Sequence, residues 1–367
     1  MTEEENSKDS YSWNKFSEKK IVTLEKKILE VVKTAYKGWF VNVGKSIEKE
    51  EKIWTVAFNS KSKNTPLVLL HGFGAGVGFW CLNFDAFAKD RPVYAIDILG
   101  FGRSSRPTFS QDNMEAEIQL VDSIEEWRKE VNLDKFILLG HSFGGYLATS
   151  YTLRHPEHVK HLILADPWGF NTKPPDFNPP LWLKTIGFFL YPFTYLNPLA
   201  TVRAVGPFGP WLIKKMRSDI SEKYATTFED KNIILEYIYQ CNSQKPSGET
   251  AFHSMMKGFG WAKNPMVNRV KDLNKTIPMT IIYGANSWIS KESGVKIMED
   301  RPDSLVEIKV VPQAGHHLYV DEPETFNFMV VETCLKCDGE DYVHKEKRNN
   351  GKETDDNENF NLETAAN

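Results

Sequence analysis

Apolar positions recur every three or four residues over 21–37, where Ile21, Leu24, Ile28, Val31 and Ala35 would share one helix face. Lys26, Lys27, Lys33 and Lys37 fall mainly outside that stripe. Such a helix most simply docks on its own domain. The alternative is a basic amphipathic helix resting on a lipid surface, flanked by Trp13, Phe16 and Trp39. From about 41 the period shortens, and VNVGKSI and IWTVAF predict an opening hairpin. Short β-rich apolar runs then alternate with helical segments: PLVLLHGFG, PVYAIDILGFGRS, FILLGHSFGG, HLILADPWGF, MTIIYGANS and LVEIKVVPQAGH. Runs that are apolar throughout belong to strands buried on both faces, as in a parallel sheet. Their alternation with helices predicts a doubly wound α/β architecture.

The regularity breaks between about 171 and 272, where proline, aromatic and glycine residues crowd, as in KPPDFNPPLWLKTIGFFLYPFTYLNP. This stretch reads as a mostly helical cap inserted after the sixth strand, able to exclude water and wall an apolar substrate. Residues 1–20 and 338–367 are polar and are expected to be disordered. The organisation expected is an amphipathic helix at 21–40, an α/β core at 41–170 and 273–337, and a cap at 171–272.

Composition narrows the classes of function. A formal net charge of -4 over 367 residues offers no field to hold nucleic acid or an anionic membrane by charge alone. The N-terminus MTEEENSKDS has no apolar core of a secretory signal. The greasiest stretch, Leu181 to Ala200, is broken by Pro192, Asn197 and Pro198, so no membrane span is expected. Cys81, Cys241, Cys334 and Cys337 are expected to stay reduced. Cys334 and Cys337 form a lone C-x-x-C without partner ligands, which reads as two unrelated helix cysteines. No metal or cofactor is called for.

The candidate chemistry begins at Gly140-His141-Ser142-Phe143-Gly144, a G-x-S-x-G between a buried strand and a helix. That context makes Ser142 the candidate nucleophile, lifted from the sheet on a sharp turn whose flanking glycines permit close backbone packing. An oxyanion hole needs two N–H donors, here nominated as the amides of Phe143 and Phe73. Gly72, Gly74, Gly76 and Gly78 fit neither a dinucleotide fingerprint nor a P-loop. The general base should come late in the chain, and His316 is the choice, with His317 second. The acid expected after MTIIYG is missing, because Ala285–Glu292 contains no aspartate. Asp166, at the end of HLILA, is the nominated substitute, and Glu292 is a weaker candidate.

On these residues, and on the segments HGFGAGVGFW, DILGFGRSSRP, LLGHSFGGYLATSY, HLILADPWGF, YGANSWI and GHHLYVDEP, the chain resembles the abhydrolase-domain-containing 4/5 subfamily (comparative gene identification 58-like) across residues 20–337. The resemblance implies the α/β-hydrolase fold with a cap, and lysophospholipid or N-acyl-phospholipid substrates. In the member 4 branch a serine nucleophile deacylates such lipids. In the member 5 branch an asparagine stands in its place, and those proteins coactivate a triglyceride lipase at lipid droplets. Acylation of lysophosphatidic acid through a His-x-x-x-x-Asp motif is also ascribed to that branch. This chain keeps Ser142, and it keeps His316 and Asp321 of that motif, whereas Ser290 stands where the family's usual acid sits. The resemblance further implies a cytoplasmic protein associated peripherally with lipid droplets or organelle membranes, mitochondria among them. Trp13 and Phe16 look like a reduced droplet anchor, and Trp182, Ile186, Phe189 and Trp211 are the expected acyl-channel wall.

Overall fold

The computed structural model describes residues 16–44, 47, 50–174, 199–216, 218–258 and 260–339. Helix α1 (Glu18–Leu29) opens on Ser17, whose side chain accepts from the Lys20 amide at 3.3 Å. It ends earlier than the apolar period suggested. Beyond it the carboxylate of Asp85 accepts from the Lys33 and Thr34 amides, and these bonds hold the chain in a non-helical path. Strand β1 (Tyr36–Asn42) follows, so the helix expected over 21–40 is half helix and half strand. β1 pairs antiparallel with β2 (Lys52–Phe58), giving the expected hairpin with its first arm shifted toward the N-terminus.

β3 (Leu67–Leu70), β4 (Val93–Ile96), β5 (Phe136–His141), β6 (Val159–Ala165) and two later strands complete an eight-stranded sheet. Its order is β1-β2-β4-β3-β5-β6-β9-β10, with β9 (Met279–Gly284) and β10 (Val306–Val311) at the far edge. β2 pairs antiparallel with both its neighbours, and all pairs from β4 to β10 are parallel. Side chains alternate faces along a strand. Val68, Leu138 and Leu164 therefore feed one core layer, while Leu69, Leu139 and Ile163 feed the other. Helices α3 (Asn113–Glu130) and α4 (Phe143–Arg154), which follow α2 (Phe84–Ala88), cover the first layer. α1 packs on the second through Ile21, Leu24 and Ile28. Its apolar stripe is thus covered by its own domain, and Phe16 packs against the same cluster.

Between β6 and β9 lies the mainly helical cap. Its described part holds α5 (Ala200–Ala204), α6 (Gly209–Met216), α7 (Ser218–Lys223), α8 (Ile233–Asn242) and α9 (Gly248–Met255), then the small ribbon β7 (Met256–Lys257) and β8 (Trp261–Ala262). α10 (Glu292–Asp300) precedes β10, and α11 (Leu318–Asp321) and α12 (Pro323–Cys337) close the described chain. No helix among the described residues is long and apolar enough to cross a membrane.

Candidate active site

β5 and α4 meet at Ser142, whose backbone sits at φ 53 and ψ -117. A non-glycine residue stays in that region only where its surroundings force it there. The forcing groups are visible. The Ser142 amide donates to the Ala165 carbonyl at 3.1 Å, and the Ser142 carbonyl accepts from the Gly145, Tyr146 and Trp168 amides. A side chain at Gly140 would strike the Gly144 backbone, and one at Gly144 would strike the carbonyls of Leu70 and His71. The glycines of the motif are therefore steric requirements of the turn.

The loop after β10 brings His316 over this turn. Its Nε2 lies 3.0 Å from the Ser142 hydroxyl oxygen, and its Nδ1 lies 2.5 Å from Oδ2 of Asp166. Asp166 ends β6 with a left-handed φ of 46 and is fully buried. Its Oδ1 accepts from the Gly284 amide at 3.3 Å, and its Oδ2 also accepts from the Ser287 hydroxyl. The sequence-nominated Ser142, His316 and Asp166 thus form one continuous chain of hydrogen bonds. Ser287 was not nominated. It lies in the loop after β9, where a hydroxyl carries no sequence signal of this role.

The other candidates fall elsewhere. Glu292 is exposed at the start of α10, and Ser290 is exposed with its hydroxyl accepting from the Glu292 amide at 3.2 Å. The His317 ring faces those of Phe79 and His141. Asp321 is not joined to the His316 ring. Its carboxylate accepts from the Gly315 amide at 2.7 Å and pairs with Lys223 at 2.6 Å. The His-x-x-x-x-Asp spacing therefore places an acid that holds the backbone before His316 rather than one that contacts the imidazole.

Phe143 opens α4, where the first amides of a helix have no internal partner. Among the described residues neither its amide nor that of Phe73 donates to a backbone carbonyl. His71, missed by the sequence reading, sets the second of these. Its Nε2 accepts from the Ile98 amide at 3.0 Å, so its Nδ1 carries the proton and donates to the Gly72 carbonyl at 2.7 Å. Burial lowers this imidazole to about 4, which keeps it neutral. In a planar trans peptide the carbonyl and the next N–H point in opposite directions. Fixing the Gly72 carbonyl therefore also fixes the direction of the Phe73 N–H. His141 is buried too, and burial, reinforced by the neighbouring His316, pushes it well below the usual histidine range. Its Nε2 lies 2.9 Å from the His316 carbonyl, a second clamp on the base.

Of the expected apolar wall only Trp211 lies among the described residues, and other aromatic side chains line the turn. Phe252 of α9 stacks on Phe73 at 4.3 Å between ring centroids and meets Phe143 edge-on at 5.0 Å. Trp168 joins them at 4.6 Å from Phe252. Trp211 is 61% exposed on α6, too open to wall a buried channel, and Trp182, Ile186 and Phe189 lie outside the described residues, as does Trp13. Trp288, 66% exposed, stands 5.3 Å from the His316 ring at the lip of the site.

A strained serine at a strand–helix turn, an imidazole on its hydroxyl and a buried carboxylate on that imidazole form an acyl-transfer geometry. Residues 65–323 match the model of the alpha/beta hydrolase fold. The chain belongs to this family. Within it the hydrolase groups with two mouse relatives. It is 47% identical over 320 residues to (lyso)-N-acylphosphatidylethanolamine lipase, covering 86% of this chain and 91% of that protein. It is 48% identical over 319 residues to 1-acylglycerol-3-phosphate O-acyltransferase ABHD5, covering 86% and 89% respectively. The resemblance to the abhydrolase-domain-containing 4/5 subfamily is thereby established. Among solved structures, naproxen esterase from Bacillus subtilis superposes with a TM-score of 0.62 at 17% identity, over 85% of this hydrolase and 96% of the esterase, which speaks to fold alone.

Proposed function

We propose that this hydrolase cleaves acyl esters of lysophospholipids or N-acyl phospholipids through an acyl-enzyme at Ser142. The observation that carries the reading is the 3.0 Å contact between the Ser142 hydroxyl and His316 Nε2. Nε2 takes the hydroxyl proton as the oxygen adds to the ester carbonyl, and it returns that proton to the departing alcohol. Asp166 holds the ring in the tautomer that leaves Nε2 open and steadies the imidazolium. The Phe73 and Phe143 amides receive the charge that develops on the carbonyl oxygen. Water then cleaves the acyl-enzyme by the same steps. Phospholipid substrates are supported by the names of both mouse relatives. A lysophosphatidate in place of water would make the same acyl-enzyme a transferase, the activity named for the second relative. Transfer would run through Ser142 and His316, because Asp321 is engaged with Gly315 and Lys223.

The protein works at a lipid-droplet or organelle-membrane surface in this reading. Support comes from the cap, where exposed Phe208 and Trp211 sit beside exposed Lys214 and Lys215. α1 buries its apolar stripe on the core and Phe16 packs against the same cluster, which favours the cap as the contact surface. The test is fluorophosphonate labelling, then a phospholipid panel with and without acyl-CoA. Wild type is labelled and deacylates a phospholipid, and Ser142→Ala does neither; equal behaviour of the two would defeat the proposal. A partner triglyceride lipase still activated by Ser142→Ala would instead assign a regulatory role.

A further inference from the structure

We infer that Lys223, on the cap, is a positioning residue for His316 and acts on it through Asp321. This rests on the reading of His316 as general base. Lys223 ends α7, and its Nζ lies 2.6 Å from one carboxylate oxygen of Asp321. The other oxygen accepts from the Gly315 amide at 2.7 Å. Gly315 is the residue immediately before His316, so a cap cation and the base are separated by one carboxylate and one peptide. The pair is not a loose surface contact: the side chains are 23% and 11% exposed. The next residue, Tyr224, is buried and donates its hydroxyl to the Phe79 carbonyl at 2.9 Å, which seats the end of α7 on the core.

A carboxylate that accepts one bond can swing about its own axis. A cation on the second oxygen fixes that rotation and with it the direction in which the first oxygen meets the Gly315 N–H. The His316 carbonyl is clamped independently by His141. The base is therefore held on two sides, from below by the motif around Ser142 and from above by the cap. Proton transfer depends steeply on such placement. Lys223 makes the cap's seating a condition for a correctly placed imidazole.

The test uses the full chain, hydrolysis of p-nitrophenyl butyrate and NMR of the His316 ring. Lys223→Met should lower kcat roughly tenfold with KM changed less than about twofold. Lys223→Arg should restore most of the rate. Asp321→Asn keeps an acceptor for Gly315 but loses the charge that attracts Lys223, so it should resemble Lys223→Met, and the double variant should be no worse than either. The His316 ring signal should shift or broaden in Lys223→Met and return in Lys223→Arg. An unchanged ring signal in Lys223→Met, Arg no better than Met, or additive losses would overturn the inference. Ring shifts in a protein without Ser142-dependent turnover would remove the hydrolase reading and leave the coupling standing.

Discussion

Asp166 and His316 join across two different strand ends: Oδ2 of the one lies 2.5 Å from Nδ1 of the other. The carboxylate reaches the imidazole from β6, and the loop after β9 contributes Ser287 as a donor to that carboxylate instead of an acid of its own. Asp166→Asn should lower kcat by about 10³- to 10⁴-fold, because an amide in that place favours the wrong tautomer of the ring. Adding Ser290→Asp to Asp166→Asn should not rescue it, since residue 290 is exposed and its side chain faces the Glu292 amide. Steady-state ester hydrolysis checks both; rescue by Ser290→Asp would place the working acid in the β9 loop.

His71 supplies a pH dependence with a definite sign. Its folded value of about 4 lies below the ordinary 6.5. The unfolded chain therefore binds more protons between those values, and stability falls as the pH falls through them. This contribution is fully present above about 6.5 and amounts to about 3 kcal/mol at pH 7 relative to pH 4. His71→Gln lacks the titration. The stability difference between wild type and His71→Gln should shrink by that amount from pH 7 to pH 4 in urea unfolding. A constant difference would mean that His71 titrates alike in the folded and unfolded chain and is not held neutral by burial.

Two aromatic residues of the cap should separate by function. Phe252 is buried and stacks on Phe73, so Phe252→Ala opens a cavity beside a nominated oxyanion donor. It should cost about 3 kcal/mol or more of stability. It should also lower kcat at least roughly tenfold by loosening that loop. Trp211 is exposed, and Trp211→Ala should leave hydrolysis of a soluble ester unchanged while weakening sedimentation with anionic phospholipid vesicles. Loss of soluble-ester turnover in Trp211→Ala would return that residue to the substrate channel.

The strand runs and the serine turn were legible because both are local. FILLGHSFGG carries its buried strand, its glycines and its nucleophile in ten consecutive residues. Chain order was enough to nominate His316, and the loss of an acid after MTIIYG was enough to point to Asp166. What escaped was set by contacts between distant segments. The ion pair of Asp321 with Lys223 joins the His-x-x-x-x-Asp loop to a distant cap helix, which no local pattern announces. Phe252, far from the motif in the chain, reaches Phe73 through the path of the cap, whereas Trp211 is exposed. The helix expected to run to 37 stops at Leu29 because Asp85, 51 residues from Thr34, captures the amides that would continue it.

The same distinction governs α1, where periodicity left two roles open and one buried glutamate separates them. Glu25 accepts from the Trp54 indole at 2.9 Å, from Arg103 at 2.6 Å and from the Tyr237 hydroxyl at 3.1 Å. It therefore ties α1 to β2, to the loop after β4 and to cap helix α8. Arg103 also lies over the Trp54 ring at 3.5 Å, so it has little water to fall back on. Removing one member of this buried hydrogen-bonded set leaves its partners unsatisfied, at about 1–3 kcal/mol. Glu25→Ala and Arg103→Ala should each destabilise by that much, and the double variant by clearly less than the sum. A helix that rested on lipid would make the opposite demand: Glu25→Ala would leave urea unfolding unchanged and alter vesicle binding alone.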